Sequence, residues 1–259
     1  MSKEIKKKVD ILALILFPIT ATFFSLLFNF NFLLTSIFFF VIPSVYLSFR
    51  NKNSIFRNLI FVLPFAAVTG IVADYILVLD NAWFVPTLFP FRILGKVTVE
   101  ELVWYVSIIY FCIVIYEHFQ DRKRHNLTDN HLKKLFFTLT LLFSTFIGIF
   151  LTHPLSLQIS YFYFLTEIFL IVTIVLIISK YPSLFRHLIK VSIYLIAVSL
   201  MNLIVGAKLG NWVYTGSHFI GWAKIYGVLI PFEEIILSLI LWLVIIEYFE
   251  FFDDRKDLK

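Results

Sequence analysis

The chain has 259 residues, 60% of them hydrophobic and 15% charged, with 32 Phe and a mean hydropathy of +0.91. Those proportions exclude an ordinary water-soluble globule. The formal net charge of +5 follows membrane orientation rather than nucleic-acid binding, because the basic residues cluster between apolar runs.

Apolar runs near the roughly 20 residues needed to cross a hydrocarbon core fall at about 10–28, 31–49, 58–79, 99–117, 134–152, 157–179, 188–206 and 228–249. They predict an all-α, polytopic membrane bundle of about eight transmembrane helices. The first run follows "MSKEIKKKVD" and continues past Phe28 without a small-residue cleavage site, so it reads as a helix and not as a signal peptide. The third run carries Asp74 near its outer end, and the loop after it carries Trp83 and Phe84. The fourth opens on "VTVEELVW" and holds the single cysteine, Cys112, at its middle, which rules out an intrachain disulfide and a cysteine metal cluster. The seventh carries Asn202 at nearly the depth of Asp74, and the loop after it carries Trp212, Tyr214, Trp222 and Tyr226. The eighth contains "IPFEEIIL", which places Glu233 about six residues inside it, after Pro231.

With the N-terminus inside, 18 of the 22 Lys and Arg lie on one side, and only Arg92, Lys96, Lys208 and Lys224 on the other. This positive-inside asymmetry puts both termini in the cytoplasm of a multi-pass cell-membrane protein. The sequon-like "NLT" at 126–128 then lies on the cytoplasmic side.

The chain repeats itself. At an offset of 133, residues 100–123 align without a gap on 233–256, and 8 of 24 positions match: both glutamates, Ile113 with Ile246, Glu117 with Glu250, Phe119 with Phe252, and Asp121-Arg122-Lys123 with Asp254-Arg255-Lys256. Earlier in each half the offset is 129, pairing "SIFR" (54–57) with "SLFR" (183–186) and Trp83 with Trp212. Two four-helix repeats are expected, at 1–123 and 134–259, joined by a cytoplasmic linker at 124–133. An even helix number gives both the same orientation, related by an axis along the membrane normal.

Ionisable groups at membrane depth cost of order 3 kcal/mol and point to function. Adjacent helical residues diverge by about 100°, so one glutamate of each pair, Glu100/Glu101 and Glu233/Glu234, is expected to face a central cavity. The alternative is that glutamates near a helix N-terminus answer the dipole and stay solvated. Trp104 follows Glu100 by four residues and Tyr105 follows Glu101 by four, which sets each ring on its carboxyl's face. Interfacial enrichment explains part of the Trp and Tyr content, and aromatic faces also attract cations. The six histidines show no metal-ligand spacing, and no phosphate loop, paired-His motif or nucleophile elbow occurs.

"AWFVPTLFPFRILGKVTVEELVWY" and "NWVYTGSHFIGWAKIYGVLIPFEEIIL" resemble the lycopene cyclase domain family: a Trp-x-aromatic start, a Gly in the connecting loop, and Pro-x-Glu-Glu opening a helix. The resemblance covers most of the chain and implies a fused pair of small carotenoid-cyclase subunits. Pro231-Phe232-Glu233-Glu234 fits the pattern, whereas Thr98 replaces the proline before Glu100-Glu101, and Leu237 and Ser238 stand where the first half has Trp104 and Tyr105. What the family implies is a redox-neutral isomerisation of a hydrophobic polyene or isoprenoid. An acid protonates a terminal alkene, the chain closes on the cation, and a base removes a proton, without a cofactor and without a metal. On that reading Glu100, Glu101, Glu233 and Glu234 are the catalytic candidates, acid and base unassigned. Asp74 and Asn202 orient them or relay protons, and Trp83, Trp104, Tyr105, Trp212, Tyr214 and Pro231 support them. Partners are the polyene and membrane lipid, with no nucleic acid; a homo-oligomer is compatible with the sequence. Two other readings stay open: a noncatalytic lipid-binding or transport protein of the same fold, and an intramembrane glutamate protease. The protease should carry an Arg four residues after its second Glu, where this chain has Tyr105 and Ser238.

Overall fold

The computed structural model describes residues 3–119, 129–180 and 182–252. Its helices are α1 (Lys3–Phe28), α2 (Phe32–Arg50, with a π-helical turn at Ile37–Val41), α3 (Ile55–Leu79), α4 (Val99–Phe119), α5 (Asp129–Thr152), α6 (Phe162–Lys180), α7 (Pro182–Lys208) and α8 (Phe232–Phe252). Seven, α1 to α7, contain segments long and apolar enough to cross a bilayer, so the chain is a multi-pass membrane protein built as a helix bundle. Helix α8 has 21 residues, as α4 does. Large side chains on the outside of the bundle, such as Ile193 at 81% exposure and Leu151 at 72%, suit lipid as the surrounding solvent.

Helix α4 is the centre. Of its most apolar 18-residue window 61% is buried, against 17% for α5 and α6, and it packs on α2, α3, α7 and α8. Around it, α1 lies on α7 while α5 lies on α3, and α8 packs on α6 and α7.

Three short antiparallel strand pairs cover one end of the bundle: β1 (Trp83–Phe84) with β4 (Val213–Tyr214), β2 (Arg92–Ile93) with β3 (Val97–Thr98), and β5 (Trp222–Ile225) with β6 (Val228–Pro231). Hairpin β2–β3 turns at Leu94 and Gly95, with φ of 51° and 74°, and hairpin β5–β6 at Tyr226 and Gly227, with φ of 48° and 87°. Each glycine takes a left-handed backbone at little steric cost.

These strands correct the sequence reading. Residues 228–231 form β6, so α8 begins at Phe232 and Glu233 is its second residue, not its sixth. Pro231 closes the strand opposite Trp222, and a proline biases the residue before it, here Ile230, towards extended backbone. Helix α6 begins at Phe162 rather than 157, because Pro154–Leu157 forms a separate 3-10 turn. Helix α5 begins at Asp129, so the last five residues assigned to the linker are helical, while 124–128 and the repeated Asp-Arg-Lys triplets lie outside the described residues.

At the end opposite the hairpins, charged groups tie helix termini together. Asp10, 3% exposed, accepts a 2.6 Å hydrogen bond from Tyr46, pairs with Arg50 at 3.0 Å and meets His118 at 3.2 Å. Glu117, also 3% exposed, pairs with Arg57 and accepts a 2.5 Å hydrogen bond from Asn58.

Candidate functional site

Thr98, the last residue of β3, caps α4. Its hydroxyl accepts from the Glu101 backbone N–H at 3.1 Å, while the Glu101 carboxyl accepts from the Thr98 backbone N–H at 2.9 Å and hydroxyl at 2.8 Å. This reciprocal capping box folds the Glu101 side chain back over the helix end, where Trp83 Nε1 donates to its other oxygen at 3.0 Å. Three donors therefore converge on one buried carboxyl.

Glu100 points away from the bundle centre. It accepts from Leu88 N at 2.5 Å, Phe89 N at 3.2 Å and the Thr87 hydroxyl at 2.9 Å, and so pins the loop before β2. Glu233 does the same in the second half through Ile220 N at 2.7 Å. Each pair thus divides as adjacent helical positions require, with Glu100 and Glu233 on the loops.

Their neighbours Glu101 and Glu234 border one cavity at the hairpin end. Asp74 from α3 and Asn202 from α7 border it as well, and so do Trp83, Trp104, Tyr105 and Trp212. Tyr105 donates to Asp74 Oδ1 at 3.0 Å. The Trp104 and Trp212 rings meet edge to face at 5.9 Å, Trp83 meets Tyr163 at 5.4 Å, and Phe32 meets Trp212 at 4.9 Å. The wall is aromatic and the polar groups are few.

Two glycines make room for those rings. A Cβ on Gly70 would stand 2.8 Å from the Tyr105 ring, and one on Gly206 would stand 2.3 Å from the Trp212 ring. Glu234 is held more loosely than Glu101. Its position follows Pro231, which has no N–H to offer, and the Tyr163 and Tyr214 hydroxyls face its carboxyl without reaching hydrogen-bond geometry.

Of the candidates, then, Glu101, Glu234, Asp74, Asn202, Trp83, Trp104, Tyr105 and Trp212 meet at the cavity. Tyr214 stands behind Glu234, Pro231 sets the helix start, and Glu100 and Glu233 hold loops. Trp104 does not pair with Glu100 as its four-residue spacing suggests. It lies three residues after Glu101 and shares that residue's face.

Sequence reasoning missed Tyr163 and Glu167, both on α6 and both buried. Leu237 and Ser238, the second-half counterparts of Trp104 and Tyr105, do line the cavity, and Tyr163 and Trp212 supply aromatic wall from other elements. The signal for Glu167 is a single acid inside an apolar run, "YFYFLTEIFLIV". Among the described residues no group of three or more His, Cys, Asp or Glu is placed to hold a metal ion. Comparison with family models, curated proteins and solved structures finds no match.

Proposed function

We propose that the chain is a membrane carotenoid cyclase of the lycopene type, closing a ring on the end group of a polyene by proton transfer alone. The observation that carries this reading is the convergence of Glu101 and Glu234, equivalent residues at an offset of 133, on one aromatic-walled cavity inside an apolar bundle. One carboxyl gives a proton to the terminal alkene carbon. The neighbouring alkene attacks the resulting cation and forms the ring bond, and the other carboxyl takes a proton from the adjacent ring carbon to leave a ring alkene. One proton enters and one leaves, so no electrons are exchanged and the stoichiometry requires no redox cofactor.

Between those steps the positive charge lies among the π faces of Trp83, Trp104, Trp212, Tyr105 and Tyr163, which attract cations. Asp74, held by Tyr105, and Asn202 are the other polar groups at the cavity. Only the end group needs the cavity; the rest of the polyene can stay among lipid chains.

The same reading takes α8 as an eighth span, both termini as cytoplasmic and the chain as two fused repeats. Three observations support the duplication. The two equivalent loop strands pair with each other, Phe84 opposite Val213, its own counterpart at an offset of 129, as a two-fold axis demands. The first helix of each half lies on the third helix of the other, α1 on α7 and α5 on α3. And the hairpins stand before α4 and α8 alike.

The experiment is pigment chromatography after expressing the chain in a bacterium that accumulates lycopene. Mono- or bicyclic carotenoid is expected. Unchanged lycopene with folded protein in the membrane would move the reading to the noncatalytic alternative.

A further inference from the structure

A groove lies beside the cavity, between the end of α7 and hairpin β5–β6. Ala207 and Gly210 line it from the helix end, and Trp222, Val228 and Leu229 from the hairpin. Among the described residues no charged side chain lines it. Its apolar edges are open, with Trp222 41% and Leu229 57% exposed. Trp212 borders the groove and the cavity alike. On the cavity side its ring meets Trp104 at 5.9 Å and Phe32 at 4.9 Å. Tyr214 also lines the groove: its ring meets Trp222 edge to face at 6.4 Å, while its hydroxyl is buried. Trp212 is thus the wall that the two spaces share.

The first half is closed at the same place. At an offset of 129 the counterparts of Gly206, Trp212 and Tyr214 are Leu77, Trp83 and Val85, and these are only 4%, 7% and 1% exposed. Trp83 is also tied to Glu101 through its Nε1. A leucine at position 206 could not coexist with the Trp212 ring, since even a Cβ there would stand 2.3 Å from it. The two copies have kept the tryptophan, and the second one opens onto a groove.

We infer that this groove seats the conjugated chain of the polyene while its end group occupies the cavity, with Trp212 as the threshold between them. The identity of the occupant rests on the cyclase reading. Three features select it. The lining offers no partner for a charged headgroup, which argues against a phospholipid held in place. The flat faces of Trp212, Tyr214 and Trp222 suit a rigid conjugated chain, because offset stacking adds to apolar burial. And a chain that closes a ring at one end must leave the cavity by the other, which the shared wall at Trp212 permits. Burial of the chain in the groove then holds the end group against the acids.

Leu229→Cys places a label in the groove. Leu155→Cys, on the 3-10 turn after α5 and 80% exposed, serves as the control. The sole native cysteine, Cys112, is buried. Each purified full chain is labelled with a diazirine maleimide, mixed with lycopene in lipid nanodiscs and irradiated, and the adducts are weighed by mass spectrometry. A gain of one lycopene mass, which its ring-closed isomers share, is expected at position 229 and not at 155. Phospholipid adducts alone, or lycopene equally at both positions, overturn the inference. In the pigment assay a bulky maleimide on the same Leu229→Cys preparation should cut kcat/KM about tenfold, because binding energy from the remote chain is lost. The unlabelled preparation is its own folding control, and an unchanged kcat/KM after labelling overturns the inference. Lycopene captured at position 229 by a protein that forms no ring would leave the groove standing and remove the cyclase reading instead.

Discussion

Thr98 and Pro231 hold matching places before the two glutamate pairs, and each decides what its glutamate can do. The threonine supplies an N–H and a hydroxyl to Glu101; the proline has no N–H for Glu234. Thr98→Ala should therefore lower stability by about 1–2 kcal/mol, the usual worth of an N-cap side chain, and free the Glu101 carboxyl to swing. The shift in thermal midpoint of the purified protein in detergent checks the first effect. For the chemistry, Glu101→Gln and Glu234→Gln should each reduce ring formation by about 100-fold or more, the range of a lost proton-transfer group. Normal cyclisation by both variants would falsify the site. Gly206→Ala tests the wall: its Cβ would fall 2.3 Å from the Trp212 ring, so the ring must move into the cavity. Overpacking of this kind costs about 1–3 kcal/mol, and the displaced indole should be visible as a change in tryptophan fluorescence.

Elements were legible in the sequence to the extent that their signal was long. A run of apolar residues announces a spanning helix, and the offset of 133 picked out both glutamate pairs before any geometry, though not which member of each borders the cavity. The strands were hidden because "VLIP" in β6 is as apolar as the start of α8, and periodicity cannot separate a short buried strand from the helix it feeds. Glu167 was hidden for a different reason: it has no counterpart in the first half, so the repeat gave it no emphasis. The register of α8 follows from this level too. Starting at Phe232 rather than inside a longer helix, it places Glu233 in the first turn, where its carboxylate can reach the Ile220 N–H. At the far end of α3 and α4, Arg57 and Asn58 hold Glu117. Arg57→Ala would leave a buried charge without its partner, at a cost of about 3–5 kcal/mol. The double variant with Glu117→Gln should recover much of that loss in thermal unfolding, since the stranded charge is then gone.

Over the whole molecule, the contacts between the halves run through β1–β4, α4–α8, α1–α7 and α5–α3. Two separately expressed pieces, residues 1–123 and 134–259, should therefore associate in the membrane and copurify on a tag carried by one of them. Recovery of the tagged piece alone would show that the connection between them is needed.

The crossed placement of α1 and α5 also sets a timetable for synthesis. Helix α5 emerges when α3, its neighbour, is already in the membrane. Helix α1 finds α2 at once, but the α7 face it covers, where Tyr194 donates to Leu14 O at 3.0 Å, begins at Pro182, some 154 residues after Phe28. At about 5–20 residues per second the ribosome needs roughly 8–30 s to supply it. For that interval one flank of α1 is solvated by lipid alone, and it is covered only when the seventh helix arrives.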